Sequence, residues 1–201
     1  MRNYNLAFEN KLWNQDYNYL AGVDEVGRGP LAGPVVACAI IFDKSFYHPE
    51  VKDSKKLAPE KRDKLADILR ANAIAYQIGE ASVREIEIYN IRQATFLAMK
   101  RAISGLPVTP DFLLIDGENL PDCTIPSKGI IRGDDKSFTI SAASIVAKVS
   151  RDNYMKELDN EYPQYKFAKN KGYGTKEHIN AIRQVGPSPH HRNSFLKKIL
   201  A

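Results

Sequence analysis

Apolar residues in this chain fall into short dense blocks early and into helical stripes later. Leu20–Val26 and Val35–Phe42 are brief runs rich in β-branched and apolar residues, separated by Gly-Pro pairs, and both predict strands. Residues 46–57 predict a loop. Residues 59–71 predict a helix with Leu65, Ile68 and Leu69 on one face and Pro59 in its first turn. A strand is expected over 74–79. A helix over 90–104 carries the stripe Ile91, Ala94, Thr95, Ala98 and Ala102 and stops at Gly105.

Residues 112–115 form a short apolar strand that runs into Asp116, and Ile130 and Ile131 mark another. A long helix is predicted over 141–158, its first half built from small residues that permit close packing beneath a sheet. Further helices are expected over 175–183 and from Ser194 onward. Residues 1–18 show no period and read as an extension packed on the domain. Strands followed by interleaved helices predict an α/β sheet with helices on its faces. At 201 residues and 43% hydrophobic, one domain with a real core is expected. No repeat or low-complexity tract interrupts it.

The net charge of +5 favours a polyanionic partner without specifying one. Two cysteines, Cys38 and Cys123, have neither metal spacing nor the makings of a disulfide framework, and Cys38 sits in an apolar run. No secretory signal or membrane-length apolar run is present, so a cytoplasmic protein is expected.

The chemistry concentrates where apolar strands end in acids. Asp24 and Glu25 close the first strand, Asp116 closes the fourth predicted one, and Asp134 and Asp135 follow the Ile130-Ile131 block. Desolvated carboxylates are costly without a cation or a donor. Several in one pocket repel each other, and a hard divalent ion, Mg²⁺ or Mn²⁺, relieves that repulsion. Adjacent acids on a strand point to opposite faces, which suits metal ligation better than the paired carboxylates of a glycosidase. A single acid at a strand end is ordinarily just solvated; the pair followed by Gly27-Arg28-Gly29 is the unusual feature. Glycines there let backbone approach an anion or a sugar alongside the guanidinium.

These blocks occur in a recognisable order. Asp24-Glu25-Val26-Gly27-Arg28-Gly29-Pro30, Asp53-Ser54-Lys55-Lys56-Leu57, Ile115-Asp116-Gly117, Ser141-Ala142-Ala143-Ser144, Lys171-Gly172-Tyr173-Gly174-Thr175 and His191-Arg192 resemble bacterial ribonuclease HII (type 2 ribonuclease H) over about residues 20–195. The resemblance implies a ribonuclease H-like fold: a central mixed sheet flanked by helices, with a small C-terminal helical region. It divides the chain into an extension over 1–19 and a catalytic domain over 20–201. It implies endonucleolytic hydrolysis of the RNA strand of RNA–DNA hybrids and incision 5′ of single ribonucleotides in duplex DNA, leaving 3′-hydroxyl and 5′-phosphate ends. The implied metal-binding catalytic acids are Asp24, Glu25, Asp116 and Asp134, with Asp134 preferred over Asp135 by its distance from the Ser141 block. The chain departs from the expected pattern at Gly117-Glu118-Asn119, where the asparagine lies further from the aspartate.

The same resemblance gives Gly27, Arg28 and Gly29 the task of reading the 2′-hydroxyl, a group that both donates and accepts. Tyr173 is assigned to the junction between ribonucleotide and deoxynucleotide. Ser54, Lys55, Lys56, Ser141, Ser144, Lys148, Lys169, Lys171 and Arg192 are candidate phosphate contacts, although helix capping accounts equally well for Ser141 and solvation for any one lysine. His190 and His191 read as loop residues. A monomer acting on hybrid and ribonucleotide-containing duplexes is expected. The rivals are a resolvase-type nuclease, which would cut all-DNA substrate, and a non-enzymatic basic binding module.

Overall fold

The strands follow from the apolar blocks. In the computed structural model, which describes residues 6–51, 58–118 and 121–200, β1 (Leu20–Val26) and β2 (Val35–Phe42) are antiparallel neighbours, paired from Ala21 with Ile41 to Val26 with Val36. β2 is buried on both faces along its length. β3 (Ala73–Ala81) adds antiparallel to β2; β4 (Phe112–Asp116) runs parallel to β1, and β5 (Ser127–Ile130) parallel to β4. The sheet order is β3-β2-β1-β4-β5. Val23 pairs with Ile115 in the β1–β4 register, so the acids that follow each leave the sheet at the same end.

Alternation along the strands divides the core. Ala21, Val23, Ala37, Ala39 and Ile41 face one side, where Ala94, Ala98 and Ala102 cover them. Cys38, Ile40 and Phe42 face the other side, beneath Leu65, Leu69, Ala142, Ala143 and Val146. The first cover is α3 (Val83–Ser104); the second is α2 (Pro59–Asn72) with α5 (Phe138–Glu161), to which α1 (Ala7–Trp13) and α4 (Gly133–Lys136) attach. α5 crosses β1 so closely that a Cβ on Gly22 would lie 2.2 Å from the Thr139 carbonyl carbon. No side chain fits there, and the contact seats α5 beside Asp24.

Several helices differ from expectation for local reasons. α3 starts at Val83 because Ser82 and Glu85 form a capping box, and Asn90 (φ 66°) kinks it while its Oδ1 accepts from the Arg92 and Gln93 amides. The stripe over 90–104 is therefore the second half of a kinked helix. α5 is capped by Ser137, not Ser141, so the capping account of Ser141 is corrected. Ile68 is 40% exposed; Arg62, Leu65, Ala66 and Leu69 form the buried face of α2 instead. Ile131 lies outside β5 and is exposed. The N-terminal segment holds α1, whose buried Glu9 accepts from Ser137 Oγ (2.6 Å) and from the Thr139 amide (3.0 Å) at the start of α5. A carboxylate there meets the unpaired amides and positive end of the helix.

Beyond α5, a 3-10 turn (Pro163–Tyr165), α6 (Phe167–Asn170), α7 (Lys176–Val185) and α8 (Asn193–Leu200) form the C-terminal helical region. Met155, Leu158, Phe167, Ile182 and Leu196 pack there with Leu31 and Ala32 of the β1–β2 loop. That loop is thus fastened to the C-terminal region as well as to its strands. Among the described residues no helix is long and apolar enough to cross a membrane.

Candidate active site

The rim of the sheet gathers acids from three elements. Asp24 and Glu25 come from β1, Asp116 from the end of β4 and Asp134 from α4; all four line one cavity of about 170 Å³ with Val26, Ser144, Lys148 and Tyr173. Strand parity puts Asp24 on the α5 side, where the Ser144 hydroxyl hydrogen-bonds it. Glu25 faces the α3 side and borders a larger cavity of about 480 Å³ with Arg28, Arg92, Phe96, Asp116 and Glu118. Asp134 is 8% exposed, whereas its neighbour Asp135 pairs with Arg132 at 2.8 Å. The Ser141 hydroxyl donates to the Asp134 carbonyl at 2.8 Å. Asp116 Oδ1 accepts from the Gly133 amide at 2.6 Å, a contact that ties β4 to α4.

Burial dominates the electrostatics here, with like charge adding to it. Burial first, then the Glu25 and Asp116 carboxylates, raise Asp24 well above the ordinary carboxylate range. Burial also raises Glu25, against the opposing pull of Arg28, whose Nη1 lies 3.2 Å from Glu25 Oε1. Among the described residues no three acid, histidine or cysteine side chains stand as a ready-made metal cage. The donors are all oxygen and crowded with negative charge, which fits a hard divalent ion and does not suit zinc.

The 27–29 turn lies beside this cavity. Gly27 adopts φ +94°, and a Cβ there would sit 2.3 Å from Arg151 Nε. Tyr173 is 44% exposed, and its Cε1 comes to 3.8 Å from where a Gly29 Cβ would stand, so turn and tyrosine adjoin. Lys148 lines the cavity while pairing with Asp152 at 2.5 Å. Lys171 instead turns its ammonium back onto the Ala168 carbonyl, and Lys169 pairs with Glu177 at 2.9 Å. Ser54, Lys55 and Lys56 lie outside the described residues.

Two expected phosphate contacts are corrected by burial. Ser141 is fully buried and occupied with Asp134. Arg192 is also fully buried, and its guanidinium donates to the carbonyls of Gly27 (2.6 Å), Arg28 (3.0 Å), Pro30 (2.9 Å) and Gly33 (2.7 and 3.0 Å). Burial and the nearby Arg151 push it down to about 9, still charged at neutral pH. Arg151, which no sequence feature singled out, does the same for Ala32 (3.0 Å), Pro34 (2.9 Å) and Lys171 (2.9 Å). Two buried guanidiniums therefore shape the loop carrying the turn. An arginine in a helical polar stripe gives no sign of this; only the carbonyl-rich Gly-Pro loop hints that donors are needed. Arg92 and Phe96, in the larger cavity, were likewise not foreseen.

Known proteins resemble this chain in sequence and fold. The family model described as Ribonuclease HII matches residues 21–198. A ribonuclease HII of Desulfitobacterium hafniense strain Y51 is 57% identical over 190 residues, 94% of this chain and 73% of the relative. The crystal structure of the ribonuclease H2 from Pyrococcus horikoshii superposes with a TM-score of 0.77 at 25% identity, covering 90% of this chain and 97% of that one. A Bst ribonuclease HIII solved in complex with Mn²⁺ shares the fold at 18% identity and a TM-score of 0.64, covering 85% of this chain and 63% of that one. With the acids on one sheet rim and this family matching nearly end to end, the chain belongs to the ribonuclease HII family and is an endoribonuclease of the ribonuclease H type.

Proposed function

We propose that this enzyme incises duplex DNA 5′ of single embedded ribonucleotides, as well as the RNA strand of hybrids, leaving 3′-hydroxyl and 5′-phosphate ends. The observation that carries the reading is the convergence of Asp24, Glu25, Asp116 and Asp134 on one cavity that also borders the 27–29 turn and Tyr173. Those four acids would hold Mg²⁺ or Mn²⁺; when bound, such ions supply charge neutralisation at the scissile phosphate and activation of water.

The remaining work belongs to the chain. Ser144 keeps Asp24 oriented, and the Gly133 amide does so for Asp116. Backbone groups at 27–29, bare of side chains at both glycines, are suited to meet a 2′-hydroxyl that both donates and accepts. Tyr173 offers a half-exposed ring for stacking at the junction, an interaction worth about 1–3 kcal/mol. Lys148, held by Asp152, gives the cavity a cation for phosphate, and the 54–56 segment is assigned the same task. Residues 20–201 form the catalytic domain in this reading, acting as a cytoplasmic monomer.

The test is cleavage of a DNA duplex carrying one ribonucleotide, with an all-DNA duplex and a long hybrid alongside, in Mg²⁺ and in Mn²⁺. The reading expects a single cut 5′ of the ribonucleotide and none in the all-DNA control. Cutting of the control would support the resolvase alternative, and silence on the ribonucleotide duplex would confine the enzyme to hybrids.

A further inference from the structure

Behind Tyr173 two histidines meet ring to ring. His178 (α7) and His191 are 0% and 2% exposed, and their Nε2 atoms lie 2.9 Å apart. The hydrogen positions follow from both ends of the chain of bonds. His191 Nδ1 receives the Ser188 backbone amide at 2.9 Å, and an amide only donates, so the His191 proton is on Nε2. His178 Nδ1 lies 2.8 Å from the Tyr173 carbonyl, which only accepts, so the His178 proton is on Nδ1. One proton then remains for the contact between the rings, donated by His191 to His178. Every ring nitrogen has a partner, and both imidazoles are neutral. Burial agrees, lowering both, with His191 pushed to about 4 by desolvation and by His178.

The pair is anchored on the loop that carries the 27–29 turn. His191 forms a backbone bridge with Ala32, the Gly33 amide donates to the His190 carbonyl (2.9 Å), and the Arg192 amide to the Leu31 carbonyl (2.8 Å). The Leu31 amide donates in turn to the Gly172 carbonyl at 2.8 Å, adjacent to Tyr173. Aromatic edges from Tyr165 (4.7 Å to His191) and Phe167 (5.4 Å to His178) enclose the rings. Packing alone would be served there by phenylalanine; a polar relay ending on the Tyr173 carbonyl would not.

We propose that His178 and His191 are a positioning pair that fixes Tyr173 beside the 27–29 turn and thereby sets the preference for a single ribonucleotide over a long hybrid. Neither ring borders the acidic cavity, so the effect is transmitted through Tyr173. The inference rests on the function proposed above.

The test compares His178→Phe, which keeps an aromatic ring but cannot bond, with His178→Asn, whose amide can still donate to the Tyr173 carbonyl. kcat and KM are measured on the single-ribonucleotide duplex and on a long hybrid, with Tm for each variant. The phenylalanine variant is expected to lose tenfold or more in kcat/KM on the ribonucleotide duplex, chiefly through KM, and less than threefold on the hybrid. The asparagine variant should retain more of the preference even where its Tm is lower. In a Tyr173→Ala background, His178→Phe should leave the preference where Tyr173→Ala put it.

A preference that stays within twofold of wild type, that tracks Tm, or that falls additively with Tyr173→Ala overturns the proposal. Should His178→Phe fail to fold, His191→Phe breaks the relay from its other end and enters the same cycle. A wild type that ignores the ribonucleotide duplex overturns the functional reading and this inference with it; a selective wild type with unchanged variants overturns this inference alone.

Discussion

Replacing Arg192 with lysine keeps the charge and loses the fork. The native guanidinium makes five hydrogen bonds to four carbonyls of the 27–33 segment, all at 2.6–3.0 Å, and is fully buried. An ammonium has three donors in tetrahedral array, so at least one carbonyl, and with imperfect geometry two, would be left buried without a partner. Each orphaned group costs about 1–3 kcal/mol, so one or two of them give an expected loss of roughly 1–6 kcal/mol. Relief of repulsion from Arg151 is small by comparison, since the lysine retains its charge. Against a domain stability of about 5–15 kcal/mol, the protein should stay folded but unfold at visibly lower urea concentration with an unchanged m-value. Activity should suffer beyond that loss, because the carbonyls released belong to the turn beside the acids. A lysine variant within about 0.5 kcal/mol of wild type, a change typical of ordinary surface substitutions, would refute the claim that Arg192 braces the turn.

Other perturbations separate the electrostatic parts. Asp24→Asn should raise the stability of the metal-free protein, because a carboxylate whose proton affinity burial has raised loses stability as pH climbs through its folded value, and asparagine never ionises; it should also reduce hydrolysis to background. A metal-free Tm below wild type contradicts this. For the histidine pair the sign is opposite: His191 falls from the ordinary 6.5 to about 4, so the unfolded state binds the extra proton in that window and stability drops with acid. For His191 alone the loss between pH 7 and pH 5 comes to roughly 2 kcal/mol, and the pH slope of urea unfolding should flatten in His178→Phe, which removes one imidazole and unpairs the other. Gly22→Ala should cost about 3 kcal/mol or more, since its Cβ meets Thr139 backbone at 2.2 Å and neither strand nor helix can move away cheaply; a Tm near wild type would show that α5 is loosely seated.

The centre of the sheet was readable from sequence because β1, β2 and β4 are largely buried and so appear as unbroken apolar runs, with acids closing β1 and β4. β1, β2 and β4 coincide with those runs. The acids were readable for the same reason, since a charge closing an apolar block has to be answered by something. Most of what stayed hidden depends on contacts distant in sequence. The kink at Asn90 and the cap at Ser82 are local but break the stripe that periodicity seeks. Arg192, His191 and Arg151 look like surface residues until folding brings the 27–34 loop over them, 117 residues away for Arg151 and 159 for Arg192. Charge in a sequence does not distinguish a cation that meets phosphate from one used up on carbonyls.

In the proposed function, catalysis by this protein requires the acidic rim to hold hard cations. Anomalous diffraction from crystals soaked in Mn²⁺ tests this directly. The expected result is density for divalent ions between Asp24, Glu25, Asp116 and Asp134, absent from Asp24→Asn crystals soaked identically. Manganese bound elsewhere, with no density among those carboxylates, would contradict it.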